Sequence, residues 1–181
     1  MSKVNVYLAD GFEEVEGLTV VDLLRRAGIE TDMVSIMGRK EITGARKIPV
    51  LADKLFEEQD DPDVIVLPGG MPGTKNLEHC EELMKQVDAF VKDGKLVCAI
   101  CAAPSILGHR GHLQGRKATV YPGMEGELTG AEWVADKAVT DGNIITARGM
   151  GCAIAFGLAI IEKLKGEQAA DEMAQKVVYQ L

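Results

Sequence analysis

Aromatic residues are scarce in this 181-residue chain, and its 20 lysines and arginines are outnumbered by 28 acidic residues. Aromatic side chains account for only 4% of the residues, so the hydrophobic core has to be built from aliphatic side chains. The formal net charge is −8, and no run of lysine and arginine occurs that could form a stripe for binding phosphate groups. A negatively charged surface repels polyanions, and we therefore expect no nucleic acid among the partners.

Long apolar runs and cysteines are scarce as well. No stretch approaches the roughly 20 apolar residues of a membrane-spanning helix, and the chain begins with a strand pattern in place of a signal peptide. We therefore expect no membrane partner and a cytoplasmic location. The cysteines are too few and too irregularly spaced for a disulfide framework, so we expect free thiols at Cys80, Cys98, Cys101 and Cys152.

The rest of the sequence alternates apolar runs with helical patterns. Buried strands are predicted by the apolar runs at residues 4–9, 29–37, 64–67 and 96–100. Amphipathic helices are predicted over residues 13–26, 74–92, 152–164 and 167–179. No repeat, low-complexity segment or flexible linker divides the chain, so we expect a single domain over residues 1–181. The alternation predicts an α/β fold, a three-layer α/β/α sandwich with a mostly parallel central sheet.

Finer predictions concern a further strand, a hairpin and the place of the site. Residues 118–120 read as another strand, and Asp141-Gly142 is a strong two-residue turn signal that predicts a hairpin between 134–140 and 143–147. In a parallel sheet the ligand site lies outside the carboxyl ends of the strands. Three loops are therefore expected to converge at that edge, at residues 10–16, 68–73 and 101–104.

A single cysteine follows the apolar run at 96–100, and small residues open a helix behind it. Ala102 and Ala103 keep the turn uncrowded, and Pro104 stands where a first-turn proline is tolerated. A side chain on such a strand-to-helix turn is exposed at the end of the sheet, while the free N–H groups of the helix favour negative charge. The pattern predicts that Cys101 is a nucleophile with a lowered thiol pKa. The alternative is a small, buried core cysteine.

Three glutamates crowd the start of the first helix. Glu16 comes within reach of Cys101 if their strands are neighbours, and a carboxyl group buried beside a thiolate has a raised pKa. A protonated Glu16 can donate a hydrogen bond to the sulfur and carry a proton during turnover. The alternative is that these glutamates only complement the helix dipole. That alternative accounts for Glu13 and Glu14 and leaves Glu16 open.

Backbone N–H groups near the same point form a candidate oxyanion site. The Gly69-Gly70 loop can present one N–H, and the amide of Ala102 can present a second. Two such donors stabilise a tetrahedral adduct or an oxidised sulfur. The alternative is a tight loop that needs glycine for its conformation alone.

Metal and dithiol chemistry are weakly supported. Cys98-x-x-Cys101 lacks a second cysteine pair to complete a structural zinc site, and Cys98 falls inside an apolar strand rather than on a helix N-terminus. His109-x-x-His112 lies in a basic loop, and we expect the histidines at the surface. We therefore predict no metal site.

Several of these segments together resemble the ThiJ/PfpI family, in particular the branch that contains the parkinsonism-associated deglycase. The resemblance covers nearly the whole chain and rests on five motifs in the right order, at residues 9–16, 21–28, 66–70, 99–104 and 146–149. It implies a flavodoxin-like fold of the class I glutamine amidotransferase-like type, a homodimer and no cofactor. It also implies that the nucleophile is Cys101, that its carboxyl partner is Glu16, and that Gly70 and Ala102 supply the backbone donors.

The resemblance implies two kinds of function. One is cofactor-free conversion of methylglyoxal to lactate, or deglycation of its early adducts, with a small aldehyde or glycated substrate. The other is a non-enzymatic oxidative-stress sensor or chaperone that is switched by sulfinic acid formation at Cys101. Related branches include peptidases, but Tyr121-Pro122 stands where many members carry a histidine before proline. A phenol with a pKa of about 10 is a poor base at neutral pH, so this position speaks most strongly against a peptidase function.

Overall fold

A computed structural model of the protein describes residues 2–179. Its strands, numbered in chain order, are β1 Lys3–Leu8, β2 Glu30–Ser35, β3 Glu41–Thr43, β4 Pro49–Leu51, β5 Lys54–Leu55, β6 Val64–Leu67, β7 Leu96–Ile100, β8 Lys117–Ala118, β9 Glu132–Trp133, β10 Ala138–Asp141 and β11 Ile144–Ala147. Its α-helices are α1 Glu14–Arg26, α2 Gly73–Glu78, α3 Glu81–Lys92, α4 Pro104–His109, α5 Ala153–Lys165 and α6 Glu167–Lys176.

Seven strands form the central sheet, in the order β10-β11-β7-β6-β1-β2-β5. All neighbouring pairs are parallel except β10 with β11, which form an antiparallel hairpin. β6 and β7 are fully buried apolar runs, as expected for strands that are covered on both faces.

Helices cover both faces of the sheet, and each face has its own hydrophobic core. On one face, buried side chains of α1, α5 and α6 pack on the sheet, among them Val20, Phe156 and Met173. On the other face, α2, α3 and α4 contribute Leu77, Leu83 and Ile106. The predicted three-layer α/β/α sandwich is confirmed. Within residues 2–179, no helix is long and apolar enough to cross a membrane.

The predicted helix at 74–92 is wrong in one respect, because it is interrupted at Cys80. The backbone of Cys80 is extended (ψ 93°), and the Cys80 N–H donates to the carbonyl of Leu77. This hydrogen bond closes the end of α2. α3 then begins with Glu81 and Glu82 in its first turn, where carboxylates complement the helix dipole.

The two local strand predictions need correction as well. The strand predicted at 118–120 is limited to β8, which pairs with β9 outside the central sheet, because the Thr119 N–H donates instead to the side chain of Thr146 (3.0 Å). The hairpin is confirmed, but its first strand begins only at Ala138. The two turn residues are Gly142-Asn143, with Gly142 at φ +61° in the first turn position, as a type II′ turn requires.

Candidate active site

The turn after β7 holds Cys101 in an unusual backbone conformation. Its φ is +66°, in the left-handed region that non-glycine residues rarely occupy. Two hydrogen bonds fix it: the Cys101 N–H donates to the carbonyl of Ala147 (2.8 Å), and the Tyr121 N–H donates to the carbonyl of Cys101 (2.8 Å). Such strain costs about 1–3 kcal/mol and persists only where the surroundings impose it. The predicted strand-to-helix turn is confirmed, and the half-buried Cys101 differs from a core cysteine such as Cys98, which has no exposed surface.

Glu16 lies in the first turn of α1 and is almost completely buried, with 1% of its surface exposed. One carboxyl oxygen, Oε2, accepts a hydrogen bond from the Gly69 N–H (2.9 Å). Burial raises the pKa of Glu16 to about 7, although hydrogen bonds with the Cys101 thiol and the Gly69 N–H oppose the increase. The expected rise of the carboxyl pKa is confirmed in direction and in its main cause, burial, but the like charge that adds to it is that of Glu13 and not of Cys101. At neutral pH this group can both hold and release a proton.

The thiol pKa differs from the expectation. Burial, then the charge of ionised Glu16 and its hydrogen bond with the thiol, raise the pKa of Cys101 to about 12. The N–H groups of Ala102 and Gly70 act in the opposite direction. The prediction of a lowered thiol pKa is therefore wrong while Glu16 is ionised, because a helix N-terminus does not outweigh desolvation and a neighbouring negative charge. Protonation of Glu16 removes the neighbouring charge and makes ionisation of the thiol easier, so the titrations of the two groups are coupled.

The glycines after β6 serve the pair in two ways. A Cβ at Gly69 would lie 2.6 Å from both Cys101 Cβ and Glu16 Oε2, so only glycine lets the loop pass between them. Gly70 has φ +91°, and its N–H is one of the two that interact with the Cys101 sulfur. Glycine is thus needed for conformation, and the same loop also provides a donor. The expected convergence of Gly70 and Ala102 on Cys101 is found.

The neighbouring glutamates have separate roles. Glu14 is buried, and its Oε1 accepts hydrogen bonds from the backbone N–H groups of Arg46 (2.7 Å) and Ile48 (3.3 Å). The dipole explanation of Glu14 is therefore wrong as a full account, because this carboxylate holds the β3–β4 turn against α1. The Glu13 carboxylate lies 3.8 Å from the guanidinium of Arg46.

Cys101 and Glu16 open into a cleft of about 830 Å³ at the carboxyl edge of the sheet. Other clefts, of about 550 and 420 Å³, lie around α5 and α6 away from this pair. The cleft is also lined by residues that had no role assigned from the sequence: Arg46, Met71, Met124, Arg148, Met150 and Cys152. One signal was available, since Arg148 directly follows β11 at the same edge.

Tyr121 occupies a wall of the cleft and is half exposed (51%). Its ring lies close to Gly149, where a Cβ would be 3.4 Å from the ring. The histidines lie elsewhere: His79 is exposed, His109 lies between the carboxylates of Glu78 and Glu127, and His112 contacts Asp88. Among the described residues, no cluster of three or more histidine, cysteine or acidic side chains could hold a metal ion.

This fold, with a cysteine and a buried glutamate at the carboxyl edge, defines a class of α/β proteins with a candidate cysteine nucleophile. A sequence model of the DJ-1/PfpI family matches residues 2–163, and the chain belongs to this family. It is 34% identical to protein DJ-1 homolog B of Arabidopsis thaliana over 96% of the chain. The chain spans only 40% of the length of that relative and 45% of the length of the related homolog A.

Two further comparisons cover the full length of the matched protein or nearly so. A protein named as a deglycase from Pyrococcus abyssi is 34% identical over 90% of this chain and 99% of its own length. The solved structure of Toxoplasma gondii DJ-1 in an oxidized form superimposes with a TM-score of 0.95 at 33% identity, covering 100% of both chains. The flavodoxin-like architecture expected from the sequence is thus confirmed by structures of the same family.

Proposed function

We propose that the protein is a cysteine-dependent, cofactor-free enzyme of the glyoxalase or deglycase type, acting on methylglyoxal or its early adducts. The observation that carries the proposal is the pairing of a strained, half-buried Cys101 with a buried Glu16 whose pKa is raised to about 7. The family membership and the relative named as a deglycase support it. The substrate and the dependence on cysteine are our inference.

In the proposed reaction the pair adds to the aldehyde carbon of methylglyoxal. The Cys101 sulfur forms the C–S bond while the carbonyl oxygen takes the proton from Glu16, which gives a hemithioacetal. We assign the stabilisation of the negative charge on that oxygen to the N–H groups of Gly70 and Ala102, which interact with the Cys101 sulfur.

Glu16 then moves a proton between two carbons. Its carboxylate removes the hydrogen from the former aldehyde carbon and returns a proton to the neighbouring carbon. The hydroxyl proton passes to the neighbouring oxygen, which produces a lactoyl thioester on Cys101. Water cleaves the thioester and releases lactate and the thiol. The sum is methylglyoxal plus water to lactic acid, so no oxidant, reductant or cofactor is consumed. In this scheme Tyr121 has no role as a base.

The pKa values of the pair define the reactive protonation state. With two protons the pair is a carboxylic acid and a thiol, and neither group is activated. Loss of one proton near pH 7 gives the state that can become thiolate plus protonated Glu16. We therefore expect turnover to increase as the pH rises through about 7.

A redox sensor is the second candidate, and one observation favours it. The oxidized form of Toxoplasma gondii DJ-1 shares this fold at a TM-score of 0.95. In our chain, Glu16 and the N–H groups of Gly70 and Ala102 surround Cys101 with the donors that a sulfinate requires. Peroxide would then produce sulfinic acid at Cys101 before it oxidises the other cysteines, as peptide mass mapping can establish.

We also propose a homodimer and a cytoplasmic location, as expected from the sequence and its family resemblance. Exposed apolar side chains of α1 and of the β3–β4 hairpin support association: Val15 is 46% exposed, Ile48 51% and Leu51 69%. Light scattering at micromolar concentration is expected to give twice the monomer mass of 19.5 kDa. A monomer mass would contradict the dimer.

Turnover of methylglyoxal by the purified protein tests the enzymatic function. We expect lactate to form without glutathione or added metal, and we expect the Cys101→Ala variant to form none above the uncatalysed rate. Absence of lactate from the wild-type protein, together with sulfinic acid formation at Cys101, would favour the sensor instead.

A further inference from the structure

Arg148 differs from the other arginines of the chain in its surroundings. The others each pair with a carboxylate: Arg25, Arg26, Arg39, Arg46, Arg110 and Arg116. Arg148 forms no such pair with any described residue, and within residues 2–179 its buried Nε has no hydrogen-bond partner. A buried donor without a partner lowers the stability of the fold, and the Nε of Arg148 can still donate a hydrogen bond to a ligand.

The backbone fixes Arg148 beside the reactive pair. It follows Ala147, whose carbonyl accepts the hydrogen bond from the Cys101 N–H (2.8 Å), and its own N–H donates to the carbonyl of Lys137 (3.2 Å). The Arg148 side chain lines the same cleft as Cys101 and Glu16. A ligand bound to the sulfur can therefore extend towards the guanidinium.

Carboxylates lie near Arg148, but none of the described ones forms a salt bridge with it. Glu13 faces the other arginine of the cleft, Arg46, at 3.8 Å. Glu16 is neutral when it carries its proton. The carboxylate of Glu125 accepts a hydrogen bond from the Gly123 N–H (3.0 Å), which lowers its pKa, and the charge of Arg148 adds to this effect. Arg148 thus lacks a salt bridge to any described carboxylate, and its guanidinium is the group of the cleft that can bind an anion.

We propose that Arg148 is a carboxylate-binding residue of the cleft, which selects α-oxoaldehydes that carry a second, anionic end. The proposal rests on the proposed function of Cys101 as the group that binds the aldehyde. A guanidinium offers Nε and one terminal nitrogen side by side, and a carboxylate accepts both hydrogen bonds at once. The Nε of Arg148 is buried and has no partner among the described residues, so a turn of the side chain into the cleft would present this arrangement to a ligand. Lysine cannot reproduce it, because an ammonium group is a point charge.

Two substrates of similar length separate this role from general activity. 4,5-Dioxopentanoate has a carboxylate at the end distant from the aldehyde, whereas 2-oxohexanal is uncharged. We expect the wild-type protein to have a higher kcat/KM for the carboxylate. Arg148→Met should lower kcat/KM for 4,5-dioxopentanoate by roughly 10- to 100-fold and leave that for 2-oxohexanal within about twofold. Arg148→Lys should lose part of the preference for 4,5-dioxopentanoate over 2-oxohexanal.

Arg26→Met is the matched control, because it removes one positive charge from the exposed end of α1, outside the cleft. This variant should have the wild-type kcat/KM for both substrates. Thermal unfolding of each variant verifies that it is folded, and Arg148→Lys is the informative variant if Arg148→Met does not fold. Equal losses for both substrates, or no preference in the wild-type protein, would overturn the proposal while leaving the proposed function intact.

A binding measurement keeps the two proposals distinguishable if neither aldehyde is turned over. Calorimetric titration with 2-hydroxyglutarate, the product expected from 4,5-dioxopentanoate, does not require catalysis. Tighter binding to the wild-type protein than to Arg148→Met supports the carboxylate site even where the enzymatic function fails. Equal binding or no binding by the two proteins contradicts it.

Discussion

The interior and the carboxyl end of β7 present two cysteines, three residues apart, in opposite settings. Cys98 is fully buried among aliphatic side chains, and burial alone raises its pKa. Cys101 lies at φ +66° at the mouth of a cleft, and its pKa depends on Glu16 and on two backbone N–H groups as well as on burial.

The comparison shows that the two thiols differ in their partners more than in the direction of their pKa shifts. Both thiols have raised pKa values, so the direction of the pKa shift does not distinguish Cys101 from Cys98. What distinguishes it is a neighbour, Glu16, that can exchange a proton with it. The predictions below separate these two settings.

Removing each thiol in turn gives the largest expected contrast. Cys101→Ala should reduce methylglyoxal turnover by roughly 10³-fold or more, because it removes the nucleophile. Cys98→Ala should retain turnover and lower the free energy of unfolding by about 1–2 kcal/mol, because it leaves a small cavity in the core. Steady-state kinetics and chemical denaturation measure the two effects. If Cys101→Ala retained its activity, the nucleophile would have to be sought elsewhere.

The two buried glutamates of α1 can be compared in the same way by replacing each with glutamine. Glu16→Gln keeps a hydrogen-bond donor for the sulfur but cannot carry a proton, so turnover should fall by roughly 10²- to 10⁴-fold. Glu14→Gln keeps an oxygen that can accept from the N–H groups of Arg46 and Ile48, and it should retain most of the activity. Similar losses in both variants would mean that Glu16 acts through structure alone.

The same carboxyl group should make stability depend on pH. The pKa of Glu16 is raised from 4.5 to about 7, so its contribution is fully present below pH 4.5 and is lost as the pH rises through about 7. One pKa unit corresponds to about 1.4 kcal/mol, so the loss reaches at most about 3 kcal/mol. Glu16→Gln should be stabilised relative to wild type by up to this amount more at pH 8 than at pH 4.5. Denaturation at both pH values tests this, and an unchanged difference would contradict the raised pKa.

Much of the central sheet and of the site could be predicted from local patterns. The fully apolar runs of β6 and β7 and the small residues after Cys101 have signatures within a few residues. The position of Glu16 follows from topology, because β1 and β7 both lie next to β6 and their loops meet at one edge.

Other features depend on segments that are distant in sequence. Glu14 contacts the backbone at Arg46 and Ile48, and its role is invisible until the β3–β4 turn is placed against α1. The thiol pKa of Cys101 was predicted in the wrong direction because desolvation depends on the whole surrounding fold. The unpaired state of Arg148 is likewise a property of the folded cleft.

The rate of Cys101 alkylation by iodoacetamide as a function of pH tests the proton-sharing pair most directly. Peptide mass mapping isolates the reaction at this cysteine in the wild-type protein and in Glu16→Gln. The account predicts that the wild-type rate rises in a step centred near pH 7, where the pair loses its first proton, and that Glu16→Gln lacks this step. An identical curve in both proteins, with no step near pH 7, would contradict the pairing of Cys101 with Glu16.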